Sequence, residues 1–265
     1  MGFLETANGE KVVLGMVHLG PLPGSPFYQE GTFRAVYDKA VSDAQALDQG
    51  GAHGCLVQTV DSVYTTEDDS DPARIAAVAN IVREIVDSTG DGFRVGVQIM
   101  RNATRASLAV AKVCGGAFVR CGIFVGATLT GDGLVEANPH AVQTYRTYLG
   151  AQNIKIIAEI DSMHFRWPGQ MPTGSVAVLA RYARADALGL GHPDEGETLA
   201  KIREVRDATP DLPIILSGYT THENAARLLK EADGAFVGTA FEHEAWGGPI
   251  DADAVRRFMD IVGRL

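Results

Sequence analysis

The chain has 265 residues, 46% of them hydrophobic and 21% charged, with a formal net charge of −10. That much apolar material can build a large core and excludes global disorder. The acidic balance, with no local basic patch, argues against nucleic acid or anionic lipid as a partner.

Cys55, Cys114 and Cys121 stand in apolar surroundings without close-pair spacing. Neither a zinc site nor a disulfide framework is expected, and a reducing cytoplasm is the expected setting. No apolar run approaches the ~18 residues that span a bilayer, so no integral membrane association is expected. Met1-Gly2-Phe3-Leu4-Glu5-Thr6 fits an N-myristoylation pattern and is read as a chance match.

Short apolar runs alternate with stretches of helical periodicity eight times along the chain. Lys11–Val17 reads as the first strand. A proline-rich loop follows, then a helix from Thr32 to about Asp48 in which Phe33, Val36, Ala40, Ala44 and Leu47 recur at helical spacing. His53–Thr59 is the second strand, and Asp71-Pro72 gives an N-cap with proline at the first helical position for a helix to about Ser88. Phe93–Met100 is the third strand, with a helix from about Ala103 to Val113. Ala117–Cys121 is the fourth, and Asn138-Pro139 repeats the capping device before a helix reaching about Leu149.

Ile154–Ile160 is the fifth strand and Ser175–Arg184 its helix; Asp186–Leu190 is a weaker sixth strand before a helix over Asp194–Asp207. Pro213–Ser217, a helix over Thr220–Glu231, Gly234–Val237 and a closing helix over Asp251–Leu265 complete the pattern. Eight βα units with no interrupting linker predict a (β/α)8 TIM barrel, a single domain over 1–265. A doubly wound dinucleotide-binding sheet fits less well, because the turn from His18 to Gly24 is not Gly-x-Gly-x-x-Gly and no Walker-type loop occurs.

Barrel enzymes place reactive groups at the carboxyl ends of their strands. Here those ends carry His18, Gln58 with Asp61, Gln98 with Arg101 and Asn102, Arg120, Glu159 with Asp161 and His164, and Ser217. Arg120, in an apolar run beside Phe118 and Val119, must find an anion or several acceptors. His18 leads into a loop stiffened by Pro21, Pro23 and Pro26, suited to a wall or rigid lid. Ser217-Gly218 and Gly238-Thr239 follow consecutive strands, and small residues there let a phosphate approach backbone N–H groups. By strand alternation Glu159 and Asp161 point to one side, so two carboxylates could converge with His164 as acid and base or around a divalent ion. Without His-x-His or His-Glu-x-x-His no metal site is assigned and no cofactor is expected with certainty.

The run from Val13 to Pro26, containing Gly15-Met16-Val17-His18-Leu19-Gly20-Pro21-Leu22-Pro23-Gly24, resembles the signature of the BtpA/SgcQ family. Gly96-Val97-Gln98-Ile99-Met100-Arg101-Asn102, Phe118-Val119-Arg120, Ala158-Glu159-Ile160 leading to His164, Ser217-Gly218 with Glu223-Asn224, and Ala232 to Thr239 extend the likeness through the chain. The resemblance implies a barrel of the ribulose-phosphate-binding type. It also brings in an assembly role, since the family is named for photosystem I biogenesis and for a sugar-utilisation operon.

The chain departs from the family pattern at four places. Asn102-Ala103 stands where the family has Asn-Asp, Met163-His164 where it has Lys-His, and Gln58-Thr59 where it has Glu-Asn. Tyr219 enlarges the loop after Ser217-Gly218. The lost lysine removes the obvious Schiff-base candidate.

The leading expectation is an enzyme that isomerises, eliminates from or cleaves a glycosidic bond in a small phosphorylated metabolite, a sugar phosphate or nucleoside-derived phosphate. His18, Glu159, Asp161 and His164 would move protons. Asp61, Gln98, Asn102, Arg120, Ser217, Gly218, Gly238 and Thr239 would bind phosphate and substrate. Two alternatives stand beside it: a non-catalytic assembly or scaffold factor, and a metal-dependent hydrolase built on His18, Asp61, Glu159 and His164. Homo-oligomerisation is expected on the general habit of soluble enzymes.

Overall fold

The structure, a computed structural model, describes residues 11–243 and 246–265; the myristoylation pattern lies outside them. Chain order is β1 (Val12–Leu19), α1 (Phe33–Gln49), β2 (Gly54–Thr59), α2 (Pro72–Ser88), β3 (Arg94–Gln98), α3 (Thr104–Cys114) and β4 (Phe118–Cys121). It continues with β5 (Ala127–Thr130), β6 (Gly133–Glu136), α4 (Pro139–Tyr148), β7 (Lys155–Asp161), α5 (Thr173–Tyr182) and β8 (Ala187–Leu190). The last elements are α6 (Glu195–Ala208), β9 (Ile214–Ser217), α7 (Ala225–Glu231), β10 (Gly234–Val237) and α8 (Ala252–Val262). All strands except β5 and β6 form one closed parallel barrel, sealed where β10 pairs with β1 through Val12↔Gly234 and Val13↔Ala235. This is the TIM barrel that the βα alternation predicts. No helix among the described residues is long and apolar enough to cross a membrane.

Two apolar layers follow from the period of two along each strand. One face packs on the helices, as with Val13, Val17 and Cys55 against Ala44 and Leu47 of α1. The other face fills the barrel with Val12, Leu14, Met16, Leu56, Phe118, Ile157, Ala187, Ile215 and Phe236. All three cysteines are buried and free. Phe118 reaches across the interior because β3 offers glycine: a Cβ on Gly96 would stand 2.1 Å from its ring. The capping devices work as the sequence implies, with Asp71 accepting from the Ala73 amide and Asn138 from the Ala141 amide.

Three local features differ from the sequence expectation. The hairpin β5–β6 lies in a stretch with no predicted element, because its strands are only four residues each and their exposed faces carry Leu129 and Leu134. Its turn residue Asp132 accepts from the Tyr64 amide at 3.1 Å and from Arg101 Nη2 at 2.9 Å, so it braces the loops after β2 and β3. Helix α7 starts at Ala225 rather than Thr220, since Gly218 and Tyr219 both have positive φ (88° and 60°) and turn the chain first. The third difference concerns Asp161 and is described with the site.

Close strand packing makes a testable demand. A Cβ on Gly54 of β2 would stand 2.1 Å from the Arg94 carbonyl oxygen of β3, which the paired backbone cannot yield. Gly54→Ala is expected to cost about 2 kcal/mol or more of unfolding free energy. Gly92→Ala, with open space at its Cβ, should change stability by less than about 1 kcal/mol. Chemical denaturation of both variants checks this, and equal stabilities would count against the packing described.

Candidate functional site

Above the apolar filling, one more inward position per strand remains, two residues beyond the last buried side chain. These positions hold His18, Gln58, Gln98, Arg120, Glu159, Gly189, Ser217 and Gly238, each following an inward residue of the layer beneath. A barrel of this width closes over apolar residues but turns polar at its carboxyl end. There it opens into a cavity of about 620 Å³.

The floor is an ion pair. Arg120 Nε donates to Glu159 Oε1 at 2.7 Å, and Ser217 Oγ donates to the same oxygen at 2.6 Å. Gly189 makes room for them: a Cβ there would stand 2.4 Å from Glu159 Oε1 and 2.8 Å from Ser217 Oγ. Burial alone would push the Glu159 carboxyl up, but the Arg120 cation outweighs it and holds the group below the usual carboxylate range. The guanidinium lies over the Phe236 ring at 5.0 Å, and its two Nη atoms have no acceptor among the described residues. Arg120 thus presents a forked donor to the cavity it lines.

One wall carries His18. Its Nδ1 is 3.0 Å from Glu242 Oε1, Glu242 Oε2 accepts from the Gly247 amide at 3.0 Å, and the Trp246 ring packs on the imidazole at 5.3 Å. A carboxylate at Nδ1 favours the proton on that nitrogen, so in the neutral ring Nε2 is the acceptor. His164 lines the cavity near Arg120. Burial first, then the Arg120 charge, push its imidazole down to about 3. It is therefore neutral, able to donate or accept a hydrogen bond without carrying charge.

The third wall is made by the turns after β9 and β10. Gly218 and Thr239 line the cavity, and among the described residues nothing accepts from the amides of Gly218, Tyr219, Thr239 or Ala240. The β9 turn is pinned from behind, Asn224 Nδ2 donating to the Tyr219 carbonyl and Asn224 Oδ1 accepting from the Thr221 amide. Left-handed backbone at Tyr219 costs roughly 1–2 kcal/mol that this turn sustains.

His18, Arg120, His164, Ser217, Gly218, Gly238 and Thr239 come together around the cavity, with Glu159 directly beneath. Four other sequence candidates do not line it. A register shift between Glu159 and Asp161 breaks the alternation that predicts both on one side. Asp161 turns outward, accepts from Thr173 Oγ1 at 3.0 Å and pairs with Lys201. Asp61 is held by Arg74, and its amide donates to the Tyr64 hydroxyl at 2.7 Å. Asn102 clamps the loop after β4, exchanging hydrogen bonds of 3.0 Å with both the amide and the carbonyl of Ile123. Gln98 is buried and accepts from Gln58 Nε2 at 2.9 Å.

The sequence reading missed Glu242 and Trp246. The only signal for them is position: Phe241-Glu242-His243 continues the loop after the eighth barrel strand, just beyond Gly238-Thr239. Tyr64 lines the cavity without any motif to mark it, and Met16, Met100, Met163 and Tyr219 line it although the sequence reading assigns them no site role.

The depressed His164 value has a consequence for stability. A histidine neutral in the fold but protonated when unfolded stabilises the protein fully above about pH 6.5, and that contribution is lost as pH falls towards 3. Between pH 7 and pH 5 the parent should lose up to about 2 kcal/mol more than His164→Gln does. Denaturant titrations at both pH values check this, and parallel losses would contradict the placement of His164.

The geometry can be set beside known proteins. The profile of the BtpA family matches residues 9–264. An uncharacterized protein of Archaeoglobus fulgidus is 32% identical over 252 residues, covering 94% of this chain and 98% of its own. The photosystem I biogenesis protein BtpA of Synechocystis is 28% identical over 268 residues, covering 98% and 91%. Among solved structures, thiamine phosphate pyrophosphorylase from Pyrococcus furiosus has a TM-score of 0.57 at 16% identity, with 98% of each chain covered, a likeness of fold. With nearly its whole length matched, the chain belongs to the BtpA family.

Proposed function

We propose that this barrel binds a small phosphorylated metabolite in the cavity above Arg120 and Glu159 and catalyses proton transfer on it. The observation that carries this reading is Arg120, whose two free Nη atoms share a cavity with the unbonded amides of Gly218 and Thr239. A cationic fork and convergent backbone donors are what a phosphoryl dianion needs. The thiamine phosphate pyrophosphorylase barrel, as its name says, handles a phosphorylated compound, in keeping with this reading.

In the proposed mechanism the phosphate rests against the β9 and β10 turns, which directs the rest of the ligand towards His18. His18 Nε2, its tautomer fixed by Glu242, takes a proton from substrate carbon or hydroxyl and returns it at another atom. Neutral His164 donates a hydrogen bond to the oxygen on which charge develops. Glu159 and Ser217 hold Arg120 in place. Isomerisation fits this set most simply, since it relocates protons within the substrate and consumes no water. Three buried free thiols suit a reducing cytoplasm as its place of work.

The other readings have less behind them. A metal-dependent hydrolase on His18, Asp61, Glu159 and His164 lacks its ligand set: Asp61 is bound to Arg74, and among the described residues no three His, Cys, Asp or Glu converge. A scaffold role rests only on the name of the Synechocystis relative.

A thermal-shift screen with sugar phosphates, nucleotides and inorganic phosphate tests the proposal. At hundredfold excess over Kd a ligand should raise Tm by on the order of 5 °C. Arg120→Lys keeps a cation beside Glu159 but loses the fork, and should cut that shift by about half or more. No shift with any phosphorylated compound would contradict the proposal and favour a scaffold.

A further inference from the structure

The cavity sets an apolar lining beside its polar groups. Its wall includes Met16, Met100 and Phe236, with Met16 next to Gly238, and its rim carries Trp246, Met163 and Tyr219. Those rim side chains are 60%, 55% and 38% exposed, although large apolar groups in water are unfavourable unless something covers them. They form one continuous edge: the Met163 methyl lies over Gly218, 3.2 Å from where a Cβ would be, and Tyr219 follows. Two of the three are held in place by specific interactions. Trp246 packs on His18, and Tyr219 keeps a left-handed backbone that a bulky residue rarely adopts.

Size points the same way. A cavity of about 620 Å³ falls within the range that encloses a drug-sized ligand. A phosphate on a short sugar chain has no flat apolar face with which to cover these rim side chains. Indole, phenol and thioether side chains are the groups that cover a flat π-face well.

We infer that the ligand is a phosphate ester carrying a planar aromatic or heteroaromatic group, the phosphate at the β9 and β10 turns and the flat group between Trp246, Met163 and Tyr219. This rests on the phosphate reading above and specifies the substrate class for the same site.

The experiment compares AMP, ribose 5-phosphate, inorganic phosphate and adenosine by calorimetry, and by fluorescence in a Trp167→Phe background, where Trp246 is the sole indole. AMP should bind about tenfold tighter than ribose 5-phosphate and change Trp246 emission, which ribose 5-phosphate should leave alone. Met163→Ala, a rim change away from the ion pair, should shrink the AMP advantage over ribose 5-phosphate to about threefold. Equal binding of AMP and ribose 5-phosphate, without an emission change, overturns the aromatic assignment and leaves the phosphate reading standing. Adenosine binding as tightly as AMP overturns the phosphate half instead. Failure of every phosphorylated probe overturns both.

Discussion

The buried ion pair between Arg120 and Glu159 is the constraint around which the upper barrel is organised. Two charges in a protein interior are expensive to desolvate unless each is paired and further hydrogen-bonded. Glu159 Oε1 meets that condition with Arg120 and Ser217, while Oε2 is buried without a hydrogen-bond partner among the described residues; the contacts tie β4, β7 and β9 together, and β8 accommodates them by carrying glycine at position 189. The layer below is wholly apolar and the layer above is open, so the pair marks where packing ends and the cavity begins. It also leaves Arg120 half used, one nitrogen committed to the fold and two facing the cavity. Removing either partner would strand the other charge, at roughly 3–5 kcal/mol.

Around that floor the site separates two kinds of support. The β9 and β10 turns depend on local backbone geometry, with positive φ at Gly218 and Tyr219 and the Asn224 side chain bracing the turn from behind. The histidines depend on long-range partners, His18 on Glu242 from the other end of the chain and His164 on its burial beside Arg120. The hairpin β5–β6 adds a third kind: Asp132 at its tip fixes Arg101 and Tyr64, and Tyr64 forms part of the cavity wall. The turns and the histidines can therefore be perturbed separately.

Much of this was legible in the sequence, because a parallel barrel repeats one rule eight times. Once each strand is placed, the residue two beyond its last buried apolar side chain faces the mouth, which is how His18, Arg120, Glu159 and Ser217 stand out. The rule fails where the backbone leaves the pattern. A register shift after Glu159 sends Asp161 to Lys201, and nothing in Glu159-Ile160-Asp161 announces it. Asp61 and Asn102 sit at strand ends as the rule asks, yet Arg74 and the Ile123 backbone hold them, partners that only the folded chain supplies. Glu242 escaped for the converse reason, since it reaches His18 across 224 positions of sequence. The resemblance to the BtpA family reached the right family without reaching a reaction.

The central claim is that a phosphoryl group sits between the β9 and β10 turns and the Arg120 fork. A crystal structure of the protein soaked with a saturating phosphorylated ligand tests it most directly. The account predicts phosphate oxygens within hydrogen-bond distance of the Gly218 and Thr239 amides and of an Arg120 Nη atom, with the Arg120–Glu159 contact intact. Phosphate bound elsewhere on the molecule, or a cavity left empty at saturation, would contradict it.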